Sequence, residues 1–419
     1  MIKVGTDFSG IGSPEAALKR LKIPHHNIFA CDIDKYAEKS FLELNNPDKF
    51  YRDITTRDYK EVPKLDLYVA GFPCQSFSLA GKRKGFDETR GTLFFNVAEF
   101  IKINQPECFI LENVKGLLSH DSGKTFQTIT DVLTNGGGTL NGQMGMDSIE
   151  DGLGYHVYTK VLNTKDYGIP QNRERIFIVG FKYWREFRFP KEFPLDKTLK
   201  DLLEDDVNEK YYLSQKMING FNKHKERHED KGTGFKWQPK SGDDIANCLR
   251  ANAALCPTDN TIIETNNKRV NQNYEKHKDE LEKGDFMDSY NQTIHKDVTP
   301  TITSRITGSN NYHIFEGNSD VVIHNLHPRC GDPKKGGTSH LSKEDGTTYC
   351  LDAANSMAIE KQNRIRRLTP LECWRLQGFT DEEFYKAQKV NSDTQLYKQA
   401  GNSITVNVMV EIFKKIYLK

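Results

Sequence analysis

The chain has 419 residues, 36% of them hydrophobic and 28% charged, the composition of a soluble globular protein long enough for two domains. A formal net charge of +1 excludes a globally basic nucleic-acid binder, so any such binding must come from local clusters. The eight cysteines (Cys31, Cys74, Cys108, Cys248, Cys256, Cys330, Cys350, Cys373) form no CxxC pair and no metal-ligand spacing, and no apolar run approaches a membrane span. Reduced thiols in a cytoplasmic protein, with no bound metal and no membrane partner, are the expectation.

The first strand, Ile2 to Val4, begins with no signal-peptide pattern before it. It runs into Asp7-Phe8-Ser9-Gly10-Ile11-Gly12, and Ser13-Pro14-Glu15 then opens a helix with Ser13 as N-cap. The glycines let a ligand approach the backbone, but Glu15 stands where the dinucleotide fingerprint requires a third glycine. This counts against NAD. A second strand, Asn27 to Cys31, ends at Asp32, about 20 residues after the turn, where an acidic side chain binds ribose hydroxyls. Capping of the helix that follows is the alternative use of Asp32. Asp53-Ile54 forms a further acidic edge.

The apolar run Leu67 to Ala70 reads as a short buried strand, followed by Gly71-Phe72-Pro73-Cys74. Pro73 stiffens the turn, which holds Cys74 at the carboxyl edge of a parallel sheet, where a nucleophile is useful. A buried structural cysteine is the other reading. Gly81, Gly85 and Gly91 punctuate a basic stretch with Lys82, Arg83, Lys84 and Arg90, the pattern of a loop that closes over an anion. Cys108 to Leu111 is a compact strand that delivers Glu112 to its end, a candidate acid. Residues 135–154 read as loop. A strand from Tyr155 to Leu162 precedes Gln171-Asn172-Arg173-Glu174-Arg175, in which the two arginines alternate at strand period and share a face. Strands alternating with helices predict an α/β domain with a doubly wound, mostly parallel sheet.

Taken together these segments resemble the DNA (cytosine-5)-methyltransferase family of bacterial and phage type. The motifs Asp7-Phe8-Ser9-Gly10-Ile11-Gly12, Gly71-Phe72-Pro73-Cys74-Gln75, Glu112-Asn113-Val114 and Gln171-Asn172-Arg173-Glu174-Arg175 come in the family's order. Arg367 to Phe379 and Gln399-Ala400-Gly401-Asn402-Ser403 add two late ones. The resemblance covers residues 1–184 and 364–419. It implies a Rossmann-like domain that binds S-adenosylmethionine, spanning 1–188 and 396–419, and an irregular target-recognition domain over 189–395 that includes the late motif at 364–380. Phe8, Ser9, Gly10, Ile11, Gly12, Asp32, Ile33, Asp53, Ile54, Pro73, Asn402 and Ser403 would bind the cofactor. Cys74 would be the nucleophile, Glu112 would meet the base at N3, and Arg173 and Arg175 would hold the site. Gln75, Ser78 and Arg90 would contact DNA. The resemblance further implies methylation of a flipped cytosine in double-stranded DNA through a Cys74–C6 adduct. The expected form is a monomer, either an orphan or beside a restriction endonuclease with which it makes no stable complex.

Residues 189–363 hold charged tracts with little apolar periodicity. Segments near 245–251, 298–303 and 349–354 hint at a repeat of about fifty residues. After them, Pro370 opens a helix. Met409, Ile412, Phe413 and Ile416 recur at helical spacing in a last helix, with Ser403 as N-cap, whose apolar face packs on the first domain. Three other readings stay open. They are the tRNA-methylating branch of the same family, a DNA-binding module that has lost catalysis, and a NAD-type dehydrogenase.

Overall fold

A computed structural model of the chain describes residues 1–73, 93–144, 152–230, 237–251, 260–264, 286–288, 293–295, 312–314, 322–324, 338–342, 348–351 and 364–418. It divides into two compact units, one of Met1–Glu204, Gly242–Asn260 and Leu368–Lys419, the other of Asp205–Ser241 and Thr261–Arg367.

In the first unit, β1 (Ile2–Asp7), α1 (Ser13–Arg20), β2 (His25–Cys31), α2 (Lys35–Leu44), β3 (Lys49–Tyr51) and β4 (Leu67–Ala70) alternate as the sequence predicts. They are followed by α3 (Leu93–Asn104), β5 (Cys108–Val114), α4 (Lys124–Thr134), the two-residue strands β6 (Thr139–Leu140) and β7 (Gln143–Met144), β8 (His156–Asn163), β9 (Gln171–Asn172) and β10 (Glu174–Phe181). The principal sheet has nine strands in the order β3-β2-β1-β4-β5-β10-β8-β6-β7. Strands β3, β2, β1, β4 and β5 are mutually parallel. All four residues of β4 are buried, as in a strand covered on both faces. The expected loop at 135–154 holds β6 and β7, pairs too short to show periodicity.

Strand order reverses between β1 and β4, which makes the crevice beyond their carboxyl ends the natural ligand site of such a sheet. Register aligns Asp7 with both Cys31 and Ala70, and Ala70 with Leu111. The residues one step further along are Phe8, Asp32, Gly71 and Glu112, so four candidates far apart in sequence stand in one row. β10 runs antiparallel to β5. Its first residues, rather than its last, therefore reach this same edge, and that brings Arg173 and Arg175 to Glu112.

Beneath the edge lies an aromatic core in which Phe29, Tyr68, Phe94, Phe100 and Phe109 are buried. Burying each ring contributes about 1.5–3 kcal/mol. α1 begins at Ser13, with Gly12 rather than Ser13 as N-cap, because Gly12 makes the turn at φ 86°. This left-handed backbone favours glycine, and a Cβ there would also displace the end of the Asn45 side chain, 2.4 Å away.

Glu15 in this helix is fully buried. Thr6 Oγ1 donates to its Oε1 at 3.1 Å, while Oε2 is a buried acceptor with no hydrogen-bond partner. Burial raises its pKa to about 7, against the pull of the local backbone, the Thr6 hydroxyl and Lys19. The protonated side chain is favoured on folding. Its contribution is complete below about pH 4.5 and is lost as pH rises through about 7. A shift of this size is worth about 3 kcal/mol. Glu15→Gln should therefore unfold at higher denaturant than wild type at pH 8 and at about the same denaturant at pH 4.5. Equal midpoints at both pH values would show that Glu15 titrates normally.

The chain end returns to this unit as α6 (Pro370–Arg375), α7 (Asp381–Gln388), α8 (Asp393–Asn402) and α9 (Val406–Tyr417). Thr369 and Glu372 form a reciprocal capping box at the start of α6. Trp374 is fully buried, and its Nε1 donates to Leu396 O at 3.1 Å. Ser403 is the C-cap of α8, and Thr405 is the N-cap of α9, two residues later than expected. Met409, Ile412, Phe413 and Ile416 are buried on α9. α8 is tied to α2 by Gln399 Nε2 to Tyr36 O at 2.9 Å and by Lys398 Nζ to Asp34 Oδ2 at 2.7 Å.

In the second unit, α5 (Gln215–Asp230) is highly polar. Thr261–Glu264 pairs antiparallel with Arg364–Arg367. The strands Phe286–Asp288, Thr293–His295, Tyr312–Ile314 and Val322–His324 form one antiparallel sheet, and Thr338–Ser342 pairs with Thr348–Leu351. These strands of three to five residues are too short to announce themselves by alternation. Trp237 is buried against Phe221, and its Nε1 donates to Thr261 Oγ1 at 3.2 Å. Among the described residues no helix is long and apolar enough to cross a membrane, and no cluster of His, Cys, Asp or Glu is placed to hold a metal.

Candidate active site

A cavity of about 410 Å³, counting its open mouth, occupies the crevice. Its lining includes Phe8, Ser9 and Gly10 from the turn after β1, Gly71 after β4, Glu112 at the end of β5, and Asn402 with Ser403 at the end of α8. Gly10 has φ 54°, and a Cβ there would meet nothing within 4 Å, so its backbone faces open space. Phe8 is itself held at φ 53°. That left-handed backbone needs outside support in a residue with a side chain. Ser9 helps supply it, since its N and its Oγ both donate to Cys31 O, at 3.0 and 3.2 Å.

Asp32 accepts from Gly10 N at 2.8 Å and from Asp34 N at 2.9 Å. It ties the glycine turn to the end of β2. The cap of α2 is Asp34, which accepts from Tyr36 N at 2.9 Å. Burial raises the Asp32 pKa, against these two N–H donors. Ile11 and Ile54 are buried in the core, Asp53 accepts from Thr55, and Ile33 is 82% exposed. None of these four, nor Gly12 or Asp32, lines the cavity. Pro73 is exposed at the end of the described β4 turn. Cys74, Gln75, Ser78 and Arg90, with the glycine-punctuated loop around them, lie outside the described residues.

Glu112 Oε1 is 3.1 Å from Arg175 Nε. Burial raises the Glu112 pKa, opposed chiefly by Arg175 and then by Arg173. Arg173 is buried. Its Nη1 donates to Leu249 O at 3.0 Å, and its Nη2 donates to Gly401 O at 3.1 Å and Ser403 O at 2.8 Å. Burial, then Arg175, lowers its pKa. The two arginines thus divide the work. Arg173 staples the end of α8 to the site, and Arg175 faces Glu112.

The arrangement offers a carboxyl biased toward its neutral form beside the Arg175 guanidinium, at the wall of a cavity that reaches the glycine turn. Against known families, residues 3–142 and 146–418 match the C-5 cytosine-specific DNA methylase model. The chain belongs to the C-5 cytosine-specific DNA methylase family. It is 33% identical to the orphan methyltransferase M.SPRI of Bacillus phage SPR, over 99% of this chain and 97% of that one. It is 39% identical to the type II methyltransferase M1.ScrFI of Lactococcus lactis subsp. cremoris, over 98% of this chain and 76% of that one. The structure of Dnmt2 methyltransferase from S. pombe is similar at 15% identity and a TM-score of 0.56, covering 99% of this chain and 97% of that one, a likeness of fold. The methylase is a DNA (cytosine-5-)-methyltransferase on a Rossmann-like sheet. Membership in this family sets aside the dehydrogenase reading.

Several further residues support the methylase's site. Asp7 is paired with Arg57 through two contacts of 2.7 Å, both side chains fully buried, and Tyr68 Oη donates to Asp7 Oδ2 at 2.6 Å. Asn113 Nδ2 donates to Phe72 O at 2.8 Å and so anchors the turn that leads to Cys74. Gln171 Nε2 donates to Leu376 O at 2.7 Å, and its Oε1 accepts from Leu249 N at 3.1 Å. Asn113 and Gln171 sit inside motifs, which hinted at them. Arg57 stands in a polar stretch that resembles any surface loop.

Proposed function

We propose that the methylase transfers a methyl group from S-adenosylmethionine to carbon 5 of a cytosine flipped out of double-stranded DNA, using Cys74 as a transient covalent nucleophile. The observation that carries this reading is the single row of Phe8, Asp32, Gly71 and Glu112 along the sheet edge, completed by the Glu112–Arg175 pair. Cys74 follows Gly71 by three residues in the sequence, the spacing this reading asks of the nucleophile.

The residues present suit the cofactor. The open backbone at Gly10, braced by the Asp32 carboxylate that accepts from its N–H, and the polar end of α8 at Asn402 and Ser403 border the crevice. When bound there, the cofactor supplies an electrophilic methyl on a sulfonium. Asp32→Asn should weaken cofactor binding roughly 10- to 100-fold, because a charged acceptor is replaced by an amide whose NH₂ opposes Gly10 N–H. Calorimetric titration of the apoenzyme with S-adenosylmethionine reads this directly, and unchanged affinity would remove Asp32 from the binding site.

Carbon 5 of cytosine is a poor nucleophile. Addition of the Cys74 thiolate to carbon 6 forms an S–C6 bond, and the ring's electrons move toward N3, which Glu112 protonates. The resulting enamine is nucleophilic at carbon 5. After methylation, water takes the carbon-5 proton, the electrons of that C–H bond form the C5–C6 double bond as the S–C6 bond breaks and the thiolate leaves, and N3 returns its proton to Glu112. Arg175 holds Glu112 at the base edge, and Arg173 holds the α8 end that borders the cofactor. The target atom is inaccessible inside a duplex, which is why the base must leave the stack at a cost of a few kcal/mol.

The first unit is the proposed catalytic domain, and the second unit the proposed target-recognition domain. The enzyme acts as a cytoplasmic monomer, as an orphan or as the modification partner of a restriction endonuclease. Methyl incorporation into duplex DNA and tRNA, compared side by side, tests the substrate. Incorporation into duplex cytosines, mapped by bisulfite sequencing to one short sequence, is expected. Incorporation into tRNA alone would overturn the DNA assignment.

A further inference from the structure

Cys248 has no part in the steps above. It follows β11 (Ala246–Asn247), which pairs in parallel with β9, so the chain passes directly beside the arginine motif. Its Sγ is 3.3 Å from Arg173 Nη1 and 3.8 Å from Arg175 Nη2, and it lies 3.5 Å from Leu249 O. One sulfur therefore sits between two guanidinium groups.

The two arginines are not equally fixed. Arg173 is held by the carbonyls of Leu249, Gly401 and Ser403, and its position does not depend on the sulfur. Arg175 has Nη1 on Glu174 O at 2.8 Å, Nε on Glu112 and Nη2 on Cys248. Two like charges this close repel each other, and the weak sulfur acceptor between them sets where the looser one comes to rest. Rotation of the Arg175 guanidinium would lift Nε from Glu112.

We propose that Cys248 is a positioning residue, whose sulfur, fixed on the Arg173 side, seats Arg175 so that its Nε stays on Glu112. The proposal rests on the catalytic reading of Glu112 and Arg175. It assigns no contact between Cys248 and substrate.

The test compares steady-state kinetics of the full-length Cys248→Ala, Cys248→Ser, Arg175→Lys and Cys248→Ala/Arg175→Lys enzymes on duplex DNA. Cys248→Ala should lower kcat roughly 5- to 20-fold, with KM for DNA and for S-adenosylmethionine each within about twofold of wild type, the scale of one coupled contact. Cys248→Ser keeps a small acceptor and should recover most of that loss. Once Arg175 is lysine, adding Cys248→Ala should cost less than about twofold, because the contact is already gone. Wild-type kcat in both Cys248 variants, beside an impaired Arg175→Lys, would overturn the proposal and leave the catalytic reading intact. So would a fully additive loss in the double variant. An unimpaired Arg175→Lys would instead overturn the catalytic reading on which it rests.

Discussion

Glu112→Gln should lower kcat at least about 100-fold while S-adenosylmethionine binds nearly as in wild type, since general-acid steps contribute typically 10²–10⁴-fold. Glutamine keeps the size and hydrogen-bonding reach of the side chain, but it has no proton to give to N3. The environment already prepares Glu112 for that role. Burial raises its pKa, and Arg175, at 3.1 Å, offsets only part of the rise. A raised pKa keeps the carboxyl protonated to higher pH, so wild-type kcat should decline on the alkaline side as Glu112 loses its proton. The Gln variant should lack that limb. A Gln variant of near-normal kcat would show that N3 receives its proton from elsewhere.

Arg57→Ala should destabilise the fold by about 3–5 kcal/mol, the cost of leaving one partner of a buried pair alone. Asp7 and Arg57 are both inaccessible to solvent, and Tyr68 Oη completes the carboxylate's shell at 2.6 Å. The guanidinium carbon also lies 4.2 Å from the centroid of Phe29 and 4.8 Å from that of Phe100. Burial alone would lower the arginine's pKa, and the charge of Asp7 more than reverses this. Without Arg57 the Asp7 charge stays buried in an aromatic core. The neighbouring Phe8, at φ 53°, then loses the rigid base on which its strained backbone stands. Urea unfolding should show a lower midpoint with an unchanged slope. Arg57→Met combined with Asp7→Asn should recover part of the loss, because no lone charge remains. A midpoint within experimental error of wild type in Arg57→Ala would mean that the pair carries no net stability.

How much of this could be read from the residues depends on the range of the interaction. β1, β2, β4 and β5 were legible because each is a short strand pattern that runs into a candidate site residue, and the parallel register of the sheet then sets Phe8, Asp32, Gly71 and Glu112 in one row. The two arginines were legible by alternation, but their different tasks were not. Arg173 is committed by the carbonyls of Leu249, Gly401 and Ser403, which lie 76, 228 and 230 residues away. No local pattern encodes such distances. Arg57 escaped for the same reason, since its partner Asp7 is 50 residues earlier. Gly12 displaced Ser13 as the cap of α1 because Gly12 takes the left-handed turn, at φ 86°, that precedes the helix. In the second unit, strands three to five residues long carry too few positions for a period of two to emerge from a polar background.

The central proposition is a bond between the sulfur of Cys74 and carbon 6 of the target base. A duplex in which the target cytosine carries fluorine at carbon 5 tests it most directly, because methylation then leaves no proton at that carbon to be lost and the thiolate cannot be expelled. Incubated with S-adenosylmethionine, the wild-type enzyme should become joined to this DNA in a one-to-one complex that survives denaturing gel electrophoresis, with the adduct on Cys74 of the cross-linked peptide. Cys74→Ala should form none. A stable complex in the alanine variant, or methylation of the normal duplex by that variant, would contradict the covalent mechanism.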